Sequence, residues 1–115
     1  FRALKLWWVL RSYGAEGIRH HIREHIRMAQ ALSAKLQSDS RFEVISPTDF
    51  ALVCFRHVDG DEATNRIAEK INVSGRAMLT ASRIDDRAFV RVSVGQTRTE
   101  QRHVDALWEM IDDFA

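Results

Sequence analysis

Apolar residues recur along this chain with a spacing that changes from helical to extended and back. Residues 2–13 would be apolar on nearly every side of a helix, and Gly14 follows in a C-cap position. Residues 16–38 carry one apolar stripe at spacings of three and four, which predicts a long amphipathic helix. The stripe consists of Ile18, Ile22, His25, Ala29, Leu32 and Leu36. The first helix therefore has more apolar surface than one core stripe needs.

Two further helices are predicted later in the chain. Residues 59–75 have Asp59 or Asp61 as a possible N-cap and Gly75 as a terminator. The inner face of this helix is predicted to be Ala63, Ile67, Ala68 and Ile71. In the last helix, residues 97–115, Thr97 and Glu100 have capping-box spacing. The apolar stripe of that helix is Val104, Leu107, Trp108, Ile111 and Phe114.

Four short segments have the composition of strands. They read RFEVIS, FALVCFRHV, AMLTAS and AFVRVSV, and RIDDR joins the last two as a hairpin. The resulting order is α-α-β-β-α-β-β-α. Strands that follow one another closely predict an α+β fold, in which helices cover one face of a three- or four-stranded antiparallel sheet.

Trp7 and Trp8 are adjacent, and this raises the question of what covers them. Neighbouring side chains on a helix point about 100° apart, so the two rings cannot share one narrow stripe. An exposed apolar patch of this kind usually marks a partner surface. We therefore expect one of the two rings to contact protein outside this sequence. The alternative is a bent helix that absorbs both rings into the local core.

Composition narrows the function classes. With 115 residues the chain fits one domain, and 17 basic against 16 acidic residues give a net charge of +1. Such a balance provides no field for nucleic acid or an anionic membrane, so neither is expected as a partner. Cys54 is the only cysteine, which excludes an internal disulfide and favours a reducing, cytoplasmic setting. No apolar run approaches the roughly 20 residues that span a bilayer, and no signal peptide is visible.

Three places offer candidate chemistry. His21 and His25 would share a helix face beside Glu24, which is a metal-ligand spacing, but the His-Glu-x-x-His signature is absent. A satisfied core histidine is the commoner role for His25, and no metal site is expected. Cys54 lies among apolar strand residues, where packing is favoured over reactivity. Arg91 interrupts an apolar strand, so it is paired, directed into a cleft, or located at an edge or outward-facing strand position.

The chain also resembles a known family. FRALKLWWVLRSYGAEG is similar to the segment that opens the C-terminal domain of pyridoxal-phosphate-dependent group II decarboxylases, especially the aromatic-L-amino-acid decarboxylases. HIREHIRMAQ resembles their long helix, and RFEVIS and LVCFR resemble the next two strands. INVSGRAMLTASRIDDRAFVRVSV and TEQRHVDALWEMI resemble the closing part, so essentially the whole chain is covered.

This resemblance implies both a fold and a reaction. The fold would be the small C-terminal domain of a fold-type I pyridoxal-phosphate enzyme. Residues 1–14 would form an interdomain helix from the large domain, and residues 15–115 the α+β domain. The whole enzyme would be a cytoplasmic homodimer that removes the α-carboxylate of an aromatic amino acid to give the amine. The cofactor serves such enzymes as an electron sink.

The resemblance also implies that the catalytic groups lie upstream. The family's Schiff-base lysine belongs to an Asn/His-Lys-Trp type motif, which Lys5, Lys35 and Lys70 do not match. The histidine that stacks on the cofactor and the aspartate that pairs with its pyridine nitrogen are also upstream. This chain is therefore expected to be non-catalytic, with no cofactor-binding residue. Arg91 matches an arginine at this strand position in relatives and is a candidate to support the active-site loop or the domain junction.

Several alternatives remain open at this point. The chain could be a free-standing α+β interaction or ligand-binding module, which should bury or polarise its first helix. A small metal-dependent hydrolase built on His21 and His25 would carry stoichiometric metal. The resemblance is compatible with a proteolytic product cut near a mobile loop. The resemblance does not identify the amino-acid substrate or the source organism. It also does not distinguish decarboxylation from aldehyde synthesis.

Overall fold

The apolar positions of the helices and strands meet in one layer of core between a sheet and its helices. The structure is a computed structural model that describes all residues, 1–115. Its elements in chain order are α1 (Arg2–Ser38), β1 (Phe42–Val44), β2 (Leu52–His57), α2 (Asp61–Ser74), β3 (Thr80–Ile84), β4 (Arg87–Ser93) and α3 (Gln101–Phe114). None of these helices combines the length and the apolar character needed to cross a membrane. The predicted α+β architecture is confirmed.

The four strands form one antiparallel sheet in the order β1-β2-β4-β3. In its centre Cys54 of β2 pairs with Arg91 of β4, and Arg91 in turn pairs with Thr80 of β3. The β3–β4 hairpin turns through Asp85 and Asp86, whose φ angles of 48° and 59° are typical of a tight type I′ turn. The predicted hairpin across RIDDR is therefore confirmed.

Helix α1 is bent at Gly14, where φ is 67° and ψ is 171°. Only glycine adopts such angles without steric strain, which explains why the first apolar segment ends there. The helix resumes immediately afterwards, so the two predicted helices form one element with a kink. The predicted break at Gly14 is correct, but there is no separate loop between the segments.

The core lies on one face of the sheet. Helix α2 contributes its whole predicted inner face to it, because Ala63, Ile67, Ala68 and Ile71 are all buried. In contrast, the buried residues of α1 all lie between Met28 and Leu36. Ile22, predicted to face inward, is exposed because this part of α1 extends beyond the sheet. As a result the radius of gyration is 15.6 Å, above the roughly 13 Å expected for a compact chain of this length.

The ends of α2 differ partly from the prediction. Its N-cap is Gly60 rather than Asp59 or Asp61, and the φ of Gly60 is 103°. Asp61 instead lies in the first turn, where its carboxylate accepts the backbone N–H of Ala88 at 2.8 Å. The helix stops at Gly75 in the left-handed conformation, as predicted.

Helix α3 begins at Gln101, four residues later than expected. The capping box predicted for Thr97 and Glu100 is therefore wrong. Thr99 instead donates its N–H to the carbonyl of Gln96, which places residues 96–99 in a turn. The N-cap is Glu100, and its backbone N–H donates to Nδ1 of His103 at 3.0 Å. A histidine at the third helical position supplies the acceptor that glutamate usually provides.

Strand β3 also begins later than predicted, at Thr80. The side chain of Asn72 explains the late start, since it accepts the N–H of Leu79 at 2.7 Å and donates to the carbonyl of Leu79 at 3.0 Å. These two bonds occupy backbone groups that a neighbouring strand would otherwise pair. Met78, expected inside the strand, is almost fully exposed.

Candidate functional site

The first candidate site is the apolar surface of residues 2–13, which we call the N-terminal segment. Trp7 and Trp8 keep 51% and 60% of their surface exposed, and their rings meet edge to face with centroids 5.2 Å apart. The other exposed apolar residues of this segment are Leu4, Leu6, Val9, Leu10 and Tyr13. The local core thus absorbs neither tryptophan, and the exposure that the sequence predicted is confirmed.

The charges of the N-terminal segment are all positive. It contains Arg2, Lys5 and Arg11 and no acidic residue, and none of the three cations forms an ion pair. The Arg11 guanidinium lies 6.0 Å from the ring centroid of Trp7, within cation–π range. These cations interrupt the apolar surface without covering it.

The histidines of α1 lie just beyond the Gly14 kink. Tyr13 and His21 meet edge to face with centroids 5.2 Å apart, and the rings of His21 and His25 are 6.3 Å apart. His21 and His25 face the chain before α3 at Gly95 and Thr97. No three His, Cys, Asp or Glu side chains are grouped closely enough to hold a metal ion. Glu24 is instead bonded to Arg27 at 3.0 Å, and this bond lowers the pKa of Glu24.

The face of the sheet away from the helices, which we call the open face, holds Cys54 and Arg91. Val53 and Phe55 are in the core, so the intervening Cys54 points to the other side. Cys54 is buried, as predicted, but among residues of the open face such as Ile45 and Phe89 rather than in the helix-covered core. Packing accounts for its burial without any reactive role.

Arg91 is exposed on the open face, directly across from Cys54 and Thr80. It takes part in no ion pair and no side-chain hydrogen bond of the chain. Of the roles left open by the sequence, the outward-facing one is observed. Its neighbour on the same face, Arg56, behaves differently, because that side chain is only 11% exposed and binds Glu43 at 2.8 Å. Arg91 is therefore an unpaired cation at the centre of the open face.

Polar groups of three residues connect helix α2 to the sheet, and of these the sequence singled out only Asp61, as a possible N-cap. His57 is buried at the end of β2, where its Nδ1 accepts the N–H of Asp59 at 3.1 Å. The backbone N–H of His57 donates to the hydroxyl of Thr64 at 3.0 Å. Asp61 binds Arg83 at 2.9 Å in addition to the N–H of Ala88. The bond from Ala88 is the main reason that the pKa of Asp61 is lowered.

These features define a small α+β domain with an uncovered apolar helix and an open sheet face, and known proteins share its fold. Residues 1–58 match the model of the pyridoxal-dependent decarboxylase conserved domain, which is half of the chain. The chain belongs to the pyridoxal-dependent decarboxylase family.

Individual relatives match the whole chain. It is 41% identical to tryptophan decarboxylase 2 of Oryza sativa subsp. japonica, with 100% of this chain and 24% of that protein covered. It is 38% identical to 4-hydroxyphenylacetaldehyde synthase of Rhodiola rosea, with 100% and 25% covered. The crystal structure of Oryza sativa TDC with PLP and tryptamine has a TM-score of 0.89 at 36% identity, covering 98% of this chain and 26% of that one. The chain therefore spans about a quarter of the length of these relatives.

The lysines of this chain do not fit the role of a Schiff-base lysine for pyridoxal phosphate. Lys35 is bonded to Asp105 at 3.0 Å, and the Lys70 amine lies 5.4 Å from the ring centroid of Phe114. Lys5 lies on the protruding N-terminal segment. None of the three lines a surface depression of the domain. No step of the cofactor's chemistry is therefore assigned to these residues.

Proposed function

We propose that this chain is the C-terminal domain of a pyridoxal-phosphate-dependent enzyme that removes the α-carboxylate of an aromatic L-amino acid to give the amine. The observation that carries the proposal is the match of the complete chain to tryptophan decarboxylase 2 at 41% identity. The similar identity to an aldehyde synthase leaves the outcome of the reaction, amine or aldehyde, to be measured. The substrate is decided by residues outside this chain.

Within that enzyme the domain has a non-catalytic role. The Schiff-base lysine and the other cofactor contacts belong to the large domain, against which the N-terminal segment packs. The exposed Trp7 and Trp8 support this role, because a free-standing interaction module would bury or polarise such a helix. We also propose residues 1–14 as an interdomain helix, and the same exposed surface supports this proposal.

The assembly we propose is a homodimer located in the cytoplasm. Homodimers are implied by the family resemblance, and a single, buried Cys54 with no partner for an internal disulfide is compatible with a reducing compartment. Light scattering on the whole purified protein tests the first statement, since a monomeric, active enzyme would contradict it. Fractionation of the source cells tests the second.

The activity is tested on the whole protein loaded with pyridoxal phosphate. We expect release of CO₂ from at least one of tryptophan, tyrosine, dopa, phenylalanine and histidine, with amine as the organic product. Hydrogen peroxide and aldehyde in place of amine would assign the protein to the aldehyde synthases. Absence of CO₂ with every aromatic amino acid, in a protein that shows the cofactor's absorbance band, would contradict the proposal.

The 115-residue chain itself is tested by its absorbance spectrum and its intact mass. A yellow band together with a second, larger polypeptide would identify a nicked enzyme whose parts remain associated. A colourless sample that contains only the 115-residue mass would identify an isolated, non-catalytic domain. A yellow sample with that mass alone would contradict the assignment of the cofactor contacts to the large domain. Stoichiometric metal in the same sample would favour the hydrolase based on His21 and His25.

Arg91 is proposed as a positioning residue for the active-site loop or the domain junction. Its exposure without an ion pair supports this role, since its charge is free to meet a group outside the chain. Arg91→Ala in the whole enzyme should lower turnover more than it lowers cofactor affinity. Arg87→Ala is the matched control, because Arg87 is also exposed, unpaired and on the same face of β4. Equal turnover of the wild type and the Arg91 variant would reject the role.

A further inference from the structure

One depression of the surface lies between α3 and the sheet, and none of its lining residues belongs to the N-terminal segment. It has a volume of about 430 Å³, within the range of small-ligand sites. Its floor is formed by the apolar side chains of Leu79, Val92, Val94, Val104 and Leu107. Each of these five residues is at least nine-tenths buried, so the floor is a fixed part of the core.

The polar residues around this floor all carry hydrogen-bond donors, and two of them are arginines. Arg76 and Arg98 line the depression, and neither forms an ion pair or a side-chain hydrogen bond elsewhere in the chain. Ser93, Gln96 and Thr99 add hydroxyl and amide groups. No aspartate or glutamate is present among the lining residues, whereas the other polar depressions of the domain contain acidic residues. No acidic residue of the lining therefore balances the positive charge of Arg76 and Arg98.

The cap of α3 adds a further donor to this set. His103 lines the depression, and its Nδ1 is already the acceptor for the backbone N–H of Glu100 at 3.0 Å. A neutral imidazole with an accepting Nδ1 carries its proton on Nε2, so the remaining ring nitrogen is a donor. The nearby Glu100 carboxylate is bonded to Arg102 at 2.9 Å and does not line the depression.

From this arrangement we propose that the depression binds a small carboxylate with an apolar body. Planar guanidinium groups pair with carboxylates through two parallel hydrogen bonds, and the aliphatic floor accommodates the body. Because no lining residue is acidic, no carboxylate of the lining competes with the ligand for the two arginines. An amine would find no carboxylate partner in this lining. This site is independent of the activity proposed above, since it shares no residue with the N-terminal segment or with Arg91.

The test uses three probes that share one apolar body: 4-phenylbutyrate, 4-phenylbutanol and 4-phenylbutylamine. Titration into the 115-residue chain, followed by amide chemical shifts, should show saturable changes at residues 92–94 and 103 for the carboxylate. The alcohol and the amine should bind about tenfold more weakly, as expected for loss of a charge-assisted pair. Propionate, which lacks the body, and inorganic phosphate should also bind more weakly than 4-phenylbutyrate. Equilibrium dialysis of the whole protein with the same probes should give the same order.

Variants localise the binding. Arg76→Gln or Arg98→Gln should weaken 4-phenylbutyrate about tenfold. Arg66→Gln, on the exposed side of α2, should leave its affinity unchanged. Equal binding of the three probes, tight binding of phosphate alone, or shifts confined to residues 1–13 would each overturn the proposal. The last outcome would mean that the probes bind only to the exposed apolar helix.

Discussion

The two ends of α1 have similar apolar side chains in opposite environments. Leu6 in the N-terminal segment is 61% exposed, while Leu36 near the other end is fully buried. Both belong to one helix with the same local geometry, so propensity does not explain the difference. What differs is the burial: α1 contacts β1, β2 and α3, its buried residues all lie between Met28 and Leu36, and every residue of the N-terminal segment is exposed. An uncovered apolar surface of this kind usually marks a partner surface, and the partner we propose is the large domain of the enzyme.

The most demanding test of this difference is to make the same substitution at both ends of α1. Leu36→Ala should lower the free energy of unfolding of the chain by about 2–5 kcal/mol, because it leaves a cavity in a packed core. Leu6→Ala should change it by less than about 0.5 kcal/mol, as expected at an exposed position. Urea denaturation followed by circular dichroism measures both values.

The whole enzyme should reverse the result for Leu6. If the large domain covers the N-terminal segment, Leu6→Ala should there approach the cost of a buried leucine. Leu36→Ala should be destabilising in both contexts and serves as the internal reference. A Leu6 variant as stable as wild type in the whole enzyme would show that the segment stays uncovered, and the proposed docking would be wrong.

Gly14 sets the angle between the two ends of α1, and its substitution should have a smaller effect. With a φ of 67° and a ψ of 171°, an alanine at this position would be strained by about 1–3 kcal/mol, but its Cβ would meet no atom within 4 Å. In Gly14→Ala the uncovered segment is therefore free to straighten, with greater helicity and little change in the stability of the core. In the whole enzyme the redirected segment should weaken the domain junction.

Gly14→Asn is the companion variant for the Gly14 experiment. The combination of a φ of 67° with a ψ of 171° is essentially restricted to glycine, so asparagine should be strained there as alanine is. Both variants should therefore weaken the whole enzyme alike, and wild-type stability of the enzyme with either variant would show that the backbone conformation at residue 14 is unimportant. Far-ultraviolet circular dichroism of the isolated chain and thermal unfolding of the enzyme provide the two measurements.

Periodicity predicted the covered part of the fold well and its boundaries less well. The inner face of α2 and the stop at Gly75 followed from the sequence because local spacing and cap chemistry decide them. The start of α3 did not, because His103 replaces the expected acidic partner in the cap. The late start of β3 depends on a side-chain bond from Asn72, which no spacing rule contains.

A candidate site could be predicted from the sequence only where the residue types alone indicate it. Adjacent tryptophans on one helix already implied an exposed surface. The face on which Arg91 lies depended on strand register, and Cys54 was expected in the core although it belongs to the open face. The depression with Arg76, Arg98 and His103 joins segments far apart in sequence, so no motif marks it.

The smallest expected effect concerns acid stability at the covered end of α1. Asp39 caps this end, and its carboxylate accepts the backbone N–H and the guanidinium of Arg41, both at 3.0 Å. The guanidinium is the main reason that the pKa of Asp39 is lowered to about 2. Because the folded state prefers the charged form, the resulting stabilisation is present above the unfolded pKa, about 3.9. It is lost as the pH falls from about 4 to 2.

Asp39→Asn should therefore lower the urea midpoint at pH 6 and flatten its decline between about pH 4 and 2 relative to wild type. Asparagine keeps an acceptor for the N–H of Arg41 but has no charge to titrate, so the difference between the two proteins should shrink on acidification. Asp49→Asn is the matched control, because Asp49 is exposed and forms no ion pair. Parallel midpoint curves for Asp39→Asn and wild type would mean that the cap at Asp39 does not contribute to acid sensitivity. Since this cap lies at the covered end of α1, the result should be the same in the isolated chain and in the whole enzyme, unlike the result for Leu6.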